Sequence, residues 1–206
     1  MRRFVVLVHK VPLNGSFTLN DLAGGAGRMD EVARAVSTAF TVSNDLRRDT
    51  EVSLLLSPLT AGIGRKITIT GSRLRYLNPD ERSTAALLKN ALVRSVDHLQ
   101  PFESSPGIVI GAIEPRAELA RWLAEPAAVW LTEGGTPLRE YVWTPPDLCA
   151  ILSDPFDPTA EEAEALRSSG IPRLSVGPRS LRTSQVVDIV HGELDQREGN
   201  APAPVR

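Results

Sequence analysis

Short apolar runs separated by amphipathic segments dominate the chain. Runs of strand length bounded by polar or turn residues predict β-strands at residues 4–8, 52–56, 107–113, 127–131, 148–152 and 172–176. Alternating apolar and polar positions predict a half-exposed strand at 66–70, and Gly71-Ser72 is expected to turn it back into residues 74–76. Helical spacing predicts helices at 30–41, 79–99, 115–124, 159–168 and 181–194, and Asp30 is expected to cap the first of them.

Strands and helices alternate regularly from residue 107 onward. This order is typical of an α/β fold with a mostly parallel sheet that helices cover on both faces. Neither an internal repeat nor a domain linker divides the chain. We therefore predict a single domain over residues 1–196 and a disordered, Pro- and Ala-rich tail over 197–206.

Glycine- and proline-containing loops follow three consecutive predicted strands, at residues 132–135, 153–155 and 176–178. In a parallel sheet, ligands bind in loops beyond the carboxyl ends of the strands. The spacing alone favours ordinary turns, because the G-x-G-x-x-G and G-x-x-x-x-G-K-[ST] phosphate-binding patterns are both absent. A further long loop, residues 10–27, contains Asp21 and a Gly-Gly-Ala-Gly run, and loops of this length are usually functional or mobile.

Composition excludes several classes of protein. With 23 Lys+Arg against 25 Asp+Glu, the 206-residue chain is neither a polycation nor an acidic disordered protein. Of the basic residues 20 are Arg and 3 are Lys, a bias that suits phosphate binding but also follows from a GC-rich genome. The single cysteine and three scattered histidines predict no intrachain disulfide and no metal site. The first apolar run is too short for a signal peptide, and no run approaches membrane-spanning length, so we expect a cytoplasmic protein with no membrane partner.

A series of longer segments carries a family resemblance that covers residues 3–195. In chain order the segments are FVVLVHK (4–10), FTLNDL (17–22), GRMD (27–30), LRYLNPDERSTAALL (74–88), ILSD (151–154), SVGP (175–178) and VHGELD (190–195). Together they resemble the tRNA (pseudouridine-54 N1) methyltransferase family, TrmY, of the SPOUT superfamily. The segment at 74–88 is the longest and the most specific.

The resemblance implies an α/β fold with a C-terminal deep trefoil knot, a homodimer, and S-adenosylmethionine as the methyl donor. It places donor contacts at Leu131, Ser153 and Gly177, in or beside the three loops described above, and at Val186 in the last predicted helix. Two of these positions depart from the archaeal pattern, which has Gly in place of Ser153 and Cys in place of Val186. With the arginine-rich composition, they suit a bacterial-type member.

The chemistry that the resemblance implies needs alignment of the donor and help with the N1 proton of pseudouridine. Asp21 is the first candidate to accept that proton or bind the base, because it lies in a long Gly-rich loop where no cap is needed. Arg28 and Arg82 are candidates for stabilising the developing anion or meeting a phosphate. Three other polar residues of the family segments are interpreted as helix-start residues instead: Asp30, Asp80 and Glu81.

RNA, most plausibly tRNA, is the expected partner, bound through arginines of the N-terminal half: Arg2, Arg3, Arg28, Arg47, Arg48, Arg73, Arg75 and Arg82. His9, His98 and His191 are interpreted as structural, and Cys149 as a small buried apolar residue. Two alternatives stay open, a SPOUT methyltransferase acting on another RNA position and a relative that binds RNA without catalysis.

Overall fold

The computed structural model describes residues 1–58, 62–142 and 147–199 of the chain. The strands are β1 (Arg2–Val8), β2 (Thr50–Leu56), β3 (Gly64–Thr70), β4 (Phe102–Ser105), β5 (Ile108–Ile113), β6 (Ala128–Pro137), β7 (Leu148–Ser153) and β8 (Arg173–Ser175). The helices are α1 (Met29–Phe40), α2 (Glu81–Arg94), α3 (Pro115–Leu123), α4 (Ala160–Ser168) and α5 (Thr183–Gly199). A 3-10 turn at Leu138–Glu140 follows β6.

All eight strands form one mixed sheet in the order β4-β5-β3-β2-β1-β7-β6-β8. The five strands from β2 to β8 in that order pair in parallel, and β3, β5 and β4 add an antiparallel edge. The α/β class is confirmed. The expectation of a mostly parallel sheet holds for the half of the sheet that carries the C-terminal strands.

Helices cover both faces of the sheet because the central strands are apolar on both sides. Phe4, Val6 and Val8 of β1 face a core shared with α1, α2 and α5. Val5 and Leu7 of the same strand face a second core, against α3 and α4. This alternation of side chains explains why β1 is continuously apolar rather than amphipathic.

The ends of α1 and α2 correct two sequence predictions and confirm Asp80 as a helix-start residue. The residue before α1 is Arg28, which adopts the left-handed conformation with φ 67°, so Asp30 lies inside the first turn and is not the cap. Asp80 caps α2 by accepting a hydrogen bond from the Ser83 N–H. Helix α2 ends at Arg94, so the predicted continuation to residue 99 is wrong.

Strand predictions fail where pairing depends on distant partners. The predicted return strand at 74–76 does not form, because β3 pairs with β2 and β5 instead. Strand β4, absent from the prediction, forms as a short edge strand against β5. The predicted disordered tail is helical through its first residues, since α5 extends to Gly199, and the rest of it lies outside the described residues. Within the part of the chain that the structure describes, no helix is long and apolar enough to cross a membrane.

Candidate functional site

Parallel strands β7, β6 and β8 are neighbours, so the loops that follow or interrupt them meet at one edge of the sheet. There they surround a cavity of about 590 Å³, a volume typical of small-molecule sites. Its walls come from residues 130–133 of β6, residues 152–158 at and beyond the end of β7, and residues 175–177 and 179–183 at and beyond the end of β8, with Val186 of α5. Arg28 and Glu31, at the start of α1, form a further wall.

The predicted loop at 132–135 lies within β6 but outside regular pairing. Leu174 of β8 faces both Leu131 and Thr136, so the four residues between them bulge out of the ladder. Gly135 permits this, since a Cβ there would lie 2.5 Å from the Leu174 carbonyl carbon. Thr132 and Glu133 thereby line the cavity although they belong to a strand.

The β7–α4 loop, defined as residues 153–159, is held by its own polar groups. The Ser153 hydroxyl donates to the Phe156 carbonyl oxygen at 2.6 Å, so this hydroxyl is satisfied inside the loop. Asp154 accepts from the Phe156 N–H at 3.0 Å. From the opposite wall, the Thr183 hydroxyl donates to the Ser153 carbonyl oxygen at 2.8 Å. The β7–α4 loop is therefore tied to α5 across the cavity.

The wall at the start of α1 carries a positively charged side chain and negatively charged ones. Arg28 makes a bidentate contact with Asp30, from Nε at 2.9 Å and from a terminal nitrogen at 3.0 Å. Burial would raise the pKa of Asp30, but the hydrogen bonds with Arg28 outweigh it and lower that pKa. Glu31 is 2% exposed, and its Oε2 has no hydrogen-bond partner within the described residues. This wall therefore combines an oriented guanidinium with a buried carboxylate that also pairs with Arg28 and Arg34.

Charges of both signs line the cavity. Four of its residues are acidic (Glu31, Glu133, Asp154 and Asp157) and four are basic (Arg28, Arg167, Arg179 and Arg182). A ligand that carries both positive and negative groups would find complementary partners on these walls.

Behind the β7–α4 loop lies a buried ion cluster that the sequence analysis missed. Strands β1 and β7 are parallel neighbours, with Leu7 opposite Ser153, so His9 lies beside Asp154. His9 Nδ1 is 2.9 Å from Asp154 Oδ1, and Nε2 is 2.8 Å from Glu162 Oε2. Burial would lower the pKa of His9, but these two carboxylates outweigh it and raise the pKa from 6.5 to about 9. The signal available in the sequence was the position of His9 at the carboxyl end of an apolar strand.

The structure brings together five of the seven predicted site residues. Leu131, Ser153, Gly177, Val186 and Arg28 all line the cavity. Their roles stay predictions.

The other two site residues, Asp21 and Arg82, are not among the residues that line this cavity. Asp21 is exposed, and its carboxylate accepts from the N–H groups of Gly24 and Gly25 at 3.0 and 2.8 Å. The argument that nothing near Asp21 needs a cap is therefore wrong. Arg82 donates to the Leu19 carbonyl oxygen at 2.9 Å and lines a separate, shallow groove.

The remaining histidines and the cysteine lie apart from the cavity. Cys149 is fully buried, and burial raises the pKa of its thiol to about 12, which fits the apolar role predicted for it. His191 is buried against Phe4, with ring centroids 5.0 Å apart, in agreement with a core role. His98 is exposed beyond the end of α2 rather than in its last turn.

Two archaeal proteins are similar to this chain over nearly its full length. The tRNA (pseudouridine(54)-N(1))-methyltransferase of Haloferax volcanii is 39% identical over 198 residues, 95% of this chain and 96% of that protein. The protein of the same name from Methanosarcina mazei is 38% identical, over 96% of this chain and 92% of that protein.

The fold has a solved counterpart, and a family model covers nearly the whole chain. The crystal structure of Archaeoglobus fulgidus Nep1 bound to S-adenosylhomocysteine matches 96% of this chain and 99% of that one, with a TM-score of 0.63 at 13% identity, which shows a similar fold. A family model described as "Putative SAM-dependent RNA methyltransferase" matches residues 1–199. Because this model matches nearly the whole chain and the two archaeal relatives are 38–39% identical to it, the chain belongs to that methyltransferase family.

Proposed function

We propose that this protein transfers a methyl group from S-adenosylmethionine to N1 of a pseudouridine, at position 54 of tRNA. One observation carries the proposal: four positions assigned to donor binding by the family resemblance line the same cavity. The names of the archaeal relatives, which align over nearly the full chain, supply the substrate.

The cavity suits the donor in size and charge. S-adenosylmethionine carries a sulfonium, an ammonium and a carboxylate, and the cavity offers acidic and basic side chains together. When bound, the donor supplies an activated methyl group. The loops at Leu131, Ser153 and Gly177 would hold it through backbone groups, with Val186 as apolar packing. The departures at Ser153 and Val186 are compatible with this role, because the serine hydroxyl points into its own loop and the cavity remains open.

We infer that the target base binds against the wall formed by Arg28 and Glu31 at the start of α1. Arg28 can donate to a carbonyl oxygen of the ring or to a flanking phosphate. Arg28 is thus the catalytic candidate that touches the site. Asp21 stays a candidate because it shapes the loop whose turn it caps. Arg82 stays a candidate for binding an RNA phosphate in the separate groove that it lines.

The proposal extends to the assembly that the resemblance implies. We assign the C-terminal strands, the β7–α4 loop and α5 to the trefoil knot of SPOUT enzymes. We further infer that the protein is a homodimer, and sedimentation velocity tests this oligomeric state. Because its substrate would be tRNA, the proposal places the enzyme in the cytoplasm.

Two tRNA transcripts that differ at one nucleotide test the function. Purified protein is incubated with labelled S-adenosylmethionine and a transcript that carries either pseudouridine or uridine at position 54. Methylation of the pseudouridine transcript alone is expected, because N1 of uridine is blocked by the ribose. Mass spectrometry of the digested nucleosides identifies the product.

Three other outcomes contradict parts of the proposal. Methylation of both transcripts would show a different ring position. If the protein binds the donor but methylates neither transcript nor bulk RNA, it would instead be a family member that binds without catalysing methyl transfer. Absence of measurable donor binding would contradict the assignment of the cavity.

A further inference from the structure

One imidazole joins the two ends of the β7–α4 loop. Asp154 begins the turn after β7, and Glu162 lies in the first turn of α4. His9 reaches both, through Nδ1 to Asp154 at 2.9 Å and through Nε2 to Glu162 at 2.8 Å. The backbone N–H of His9 adds a third contact, to the second Asp154 oxygen at 2.9 Å. The residues between these two carboxylates include Pro155, Phe156 and Pro158, which line the cavity.

The geometry requires the charged form of His9. Both ring nitrogens face carboxylate oxygens, which only accept hydrogen bonds when ionised. A neutral imidazole has one N–H, so it would leave one nitrogen lone pair against a carboxylate oxygen. The side chains are 9% exposed for His9, 0% for Asp154 and 14% for Glu162, so water cannot readily replace a lost bond.

The Glu162 oxygen that contacts His9, Oε2, also binds the residue that caps α4. It accepts from the Thr159 N–H at 2.8 Å, and the Thr159 hydroxyl accepts from the Glu162 N–H at 3.2 Å, which forms a capping box at the start of α4. His9 is therefore connected to the end of the loop and to the helix that follows it.

We propose that His9, as an imidazolium, is a positioning residue that holds the β7–α4 loop in the shape that binds the methyl donor. His9 does not line the cavity, so it acts through Asp154 and Glu162. The inference rests on the proposed function, since it assigns a specific task to the wall that the donor would contact.

Among the groups that contact each other here, His9 is the one that we expect to change its charge between pH 7.5 and pH 10. Asp154 and Glu162 are the carboxylates in contact with the ring, and the pKa of Glu162 is lowered because its bonds with His9 outweigh burial. A cation, the Lys10 ammonium, contacts the loop itself and lies 3.7 Å from the centre of the Phe156 ring. Deprotonation of His9 in the alkaline range removes the bridge between the loop ends.

The test measures the dissociation constant of S-adenosylhomocysteine by calorimetry from pH 7.5 to pH 10. It is measured for the wild type, for His9→Gln and, as a matched control, for His98→Gln. The ligand's own amino group titrates in this range and affects every variant equally, so the readout is the ratio of the dissociation constants of His9→Gln and wild type. At pH 10 about one tenth of His9 stays protonated, so wild-type affinity should weaken about tenfold on account of the loop. The ratio should therefore be largest at pH 7.5 and fall about tenfold by pH 10.

A second variant and a spectroscopic measurement keep the test independent of folding defects. Glu162→Gln keeps the capping box, since Gln serves there as well as Glu, but it removes one charge beside the ring. It should move the alkaline loss of affinity to lower pH. In the wild type, nitrogen NMR of the histidine ring should show an imidazolium at pH 7.5 that titrates near pH 9.

The outcomes separate this inference from the proposed function. A ratio of dissociation constants that stays constant with pH, or a neutral His9 ring at pH 7.5, would overturn the positioning role while donor binding stands. If the wild type binds no S-adenosylhomocysteine at any pH, the proposed function fails, and the positioning role fails with it.

Discussion

His191 gives the sharpest prediction about stability, because its surroundings require the opposite charge state from His9. It lies on α5 and is 2% exposed. Nε2 lies 3.1 Å from the Ala39 carbonyl oxygen, and Nδ1 lies 3.2 Å from a terminal nitrogen of Arg2. A guanidinium only donates and a carbonyl only accepts, so the ring must be neutral with its proton on Nε2. Burial, together with the charges of Arg47 and Arg2, lowers the pKa of His191 from 6.5 to about 4.

The sign of the effect follows from proton uptake. Below pH 6.5 the unfolded chain binds a proton at this histidine, whereas the folded protein does not until pH 4, so the free energy of unfolding falls as the pH drops. At 1.36 kcal/mol per pH unit, the full loss is about 3 kcal/mol between pH 6.5 and pH 4. Folded His9 keeps its proton throughout this range, because its pKa is about 9. The stabilisation from His9 is complete below pH 6.5 and is lost only as the pH rises toward 9.

Urea unfolding of the wild type and His191→Gln at pH 7.5, 5.5 and 4 measures this effect. Gln keeps a donor and an acceptor but does not titrate, so the variant should cost roughly 1 kcal/mol at pH 7.5. Its disadvantage should shrink as the pH falls and should reverse by pH 4. His98→Gln should follow the wild type at every pH, because this side chain is exposed. Parallel pH profiles for the wild type and His191→Gln would refute the neutral, buried state of His191.

Three further predictions follow from packing and charge. Val186→Trp should place an indole in the cavity and abolish S-adenosylhomocysteine binding in calorimetry, with an unchanged circular dichroism spectrum; retained affinity would contradict the donor assignment. Arg2→Met removes a guanidinium that pairs with three carboxylates, and it should lower the free energy of unfolding by about 2 kcal/mol in urea, whereas no change would show that these pairs are replaced by water. Gly27→Ala should lower the melting temperature more than Gly170→Ala. Both glycines have positive φ, but the new Cβ lies 2.0 Å from the Lys10 carbonyl oxygen at Gly27 and meets no described atom within 4 Å at Gly170; equal losses would contradict the close approach of the loop to Lys10.

Local patterns in the sequence were sufficient for most of the elements. The apolar strands β1 and β7 and the helix α4 lie within a residue or two of their predicted bounds, because burial and capping act over short distances. Errors concentrate where an element needs a distant partner. Strand β4 exists only because β5 offers it an edge, and the Leu131–Thr136 bulge exists only because β8 pairs with both sides of it.

The candidate site divides in the same way. The family segments predicted which loops form the cavity, but only the structure shows that Arg28, alone among the three catalytic candidates, lines it. They could not show that Asp21 is occupied in capping its own loop, because that depends on where the backbone of Gly24 and Gly25 turns.

By itself the sequence determined the fold class, from periodicity, and the family, from motifs that are contiguous in the chain. The same motifs marked the strand ends that border the cavity. Only the tertiary structure decided the protonation of the buried histidines. His9 meets carboxylates 145 and 153 positions away, and His191 meets a guanidinium 189 positions away. The two rings have the same intrinsic chemistry, and their opposite charge states result from the partners that the parallel sheet and α5 place against them.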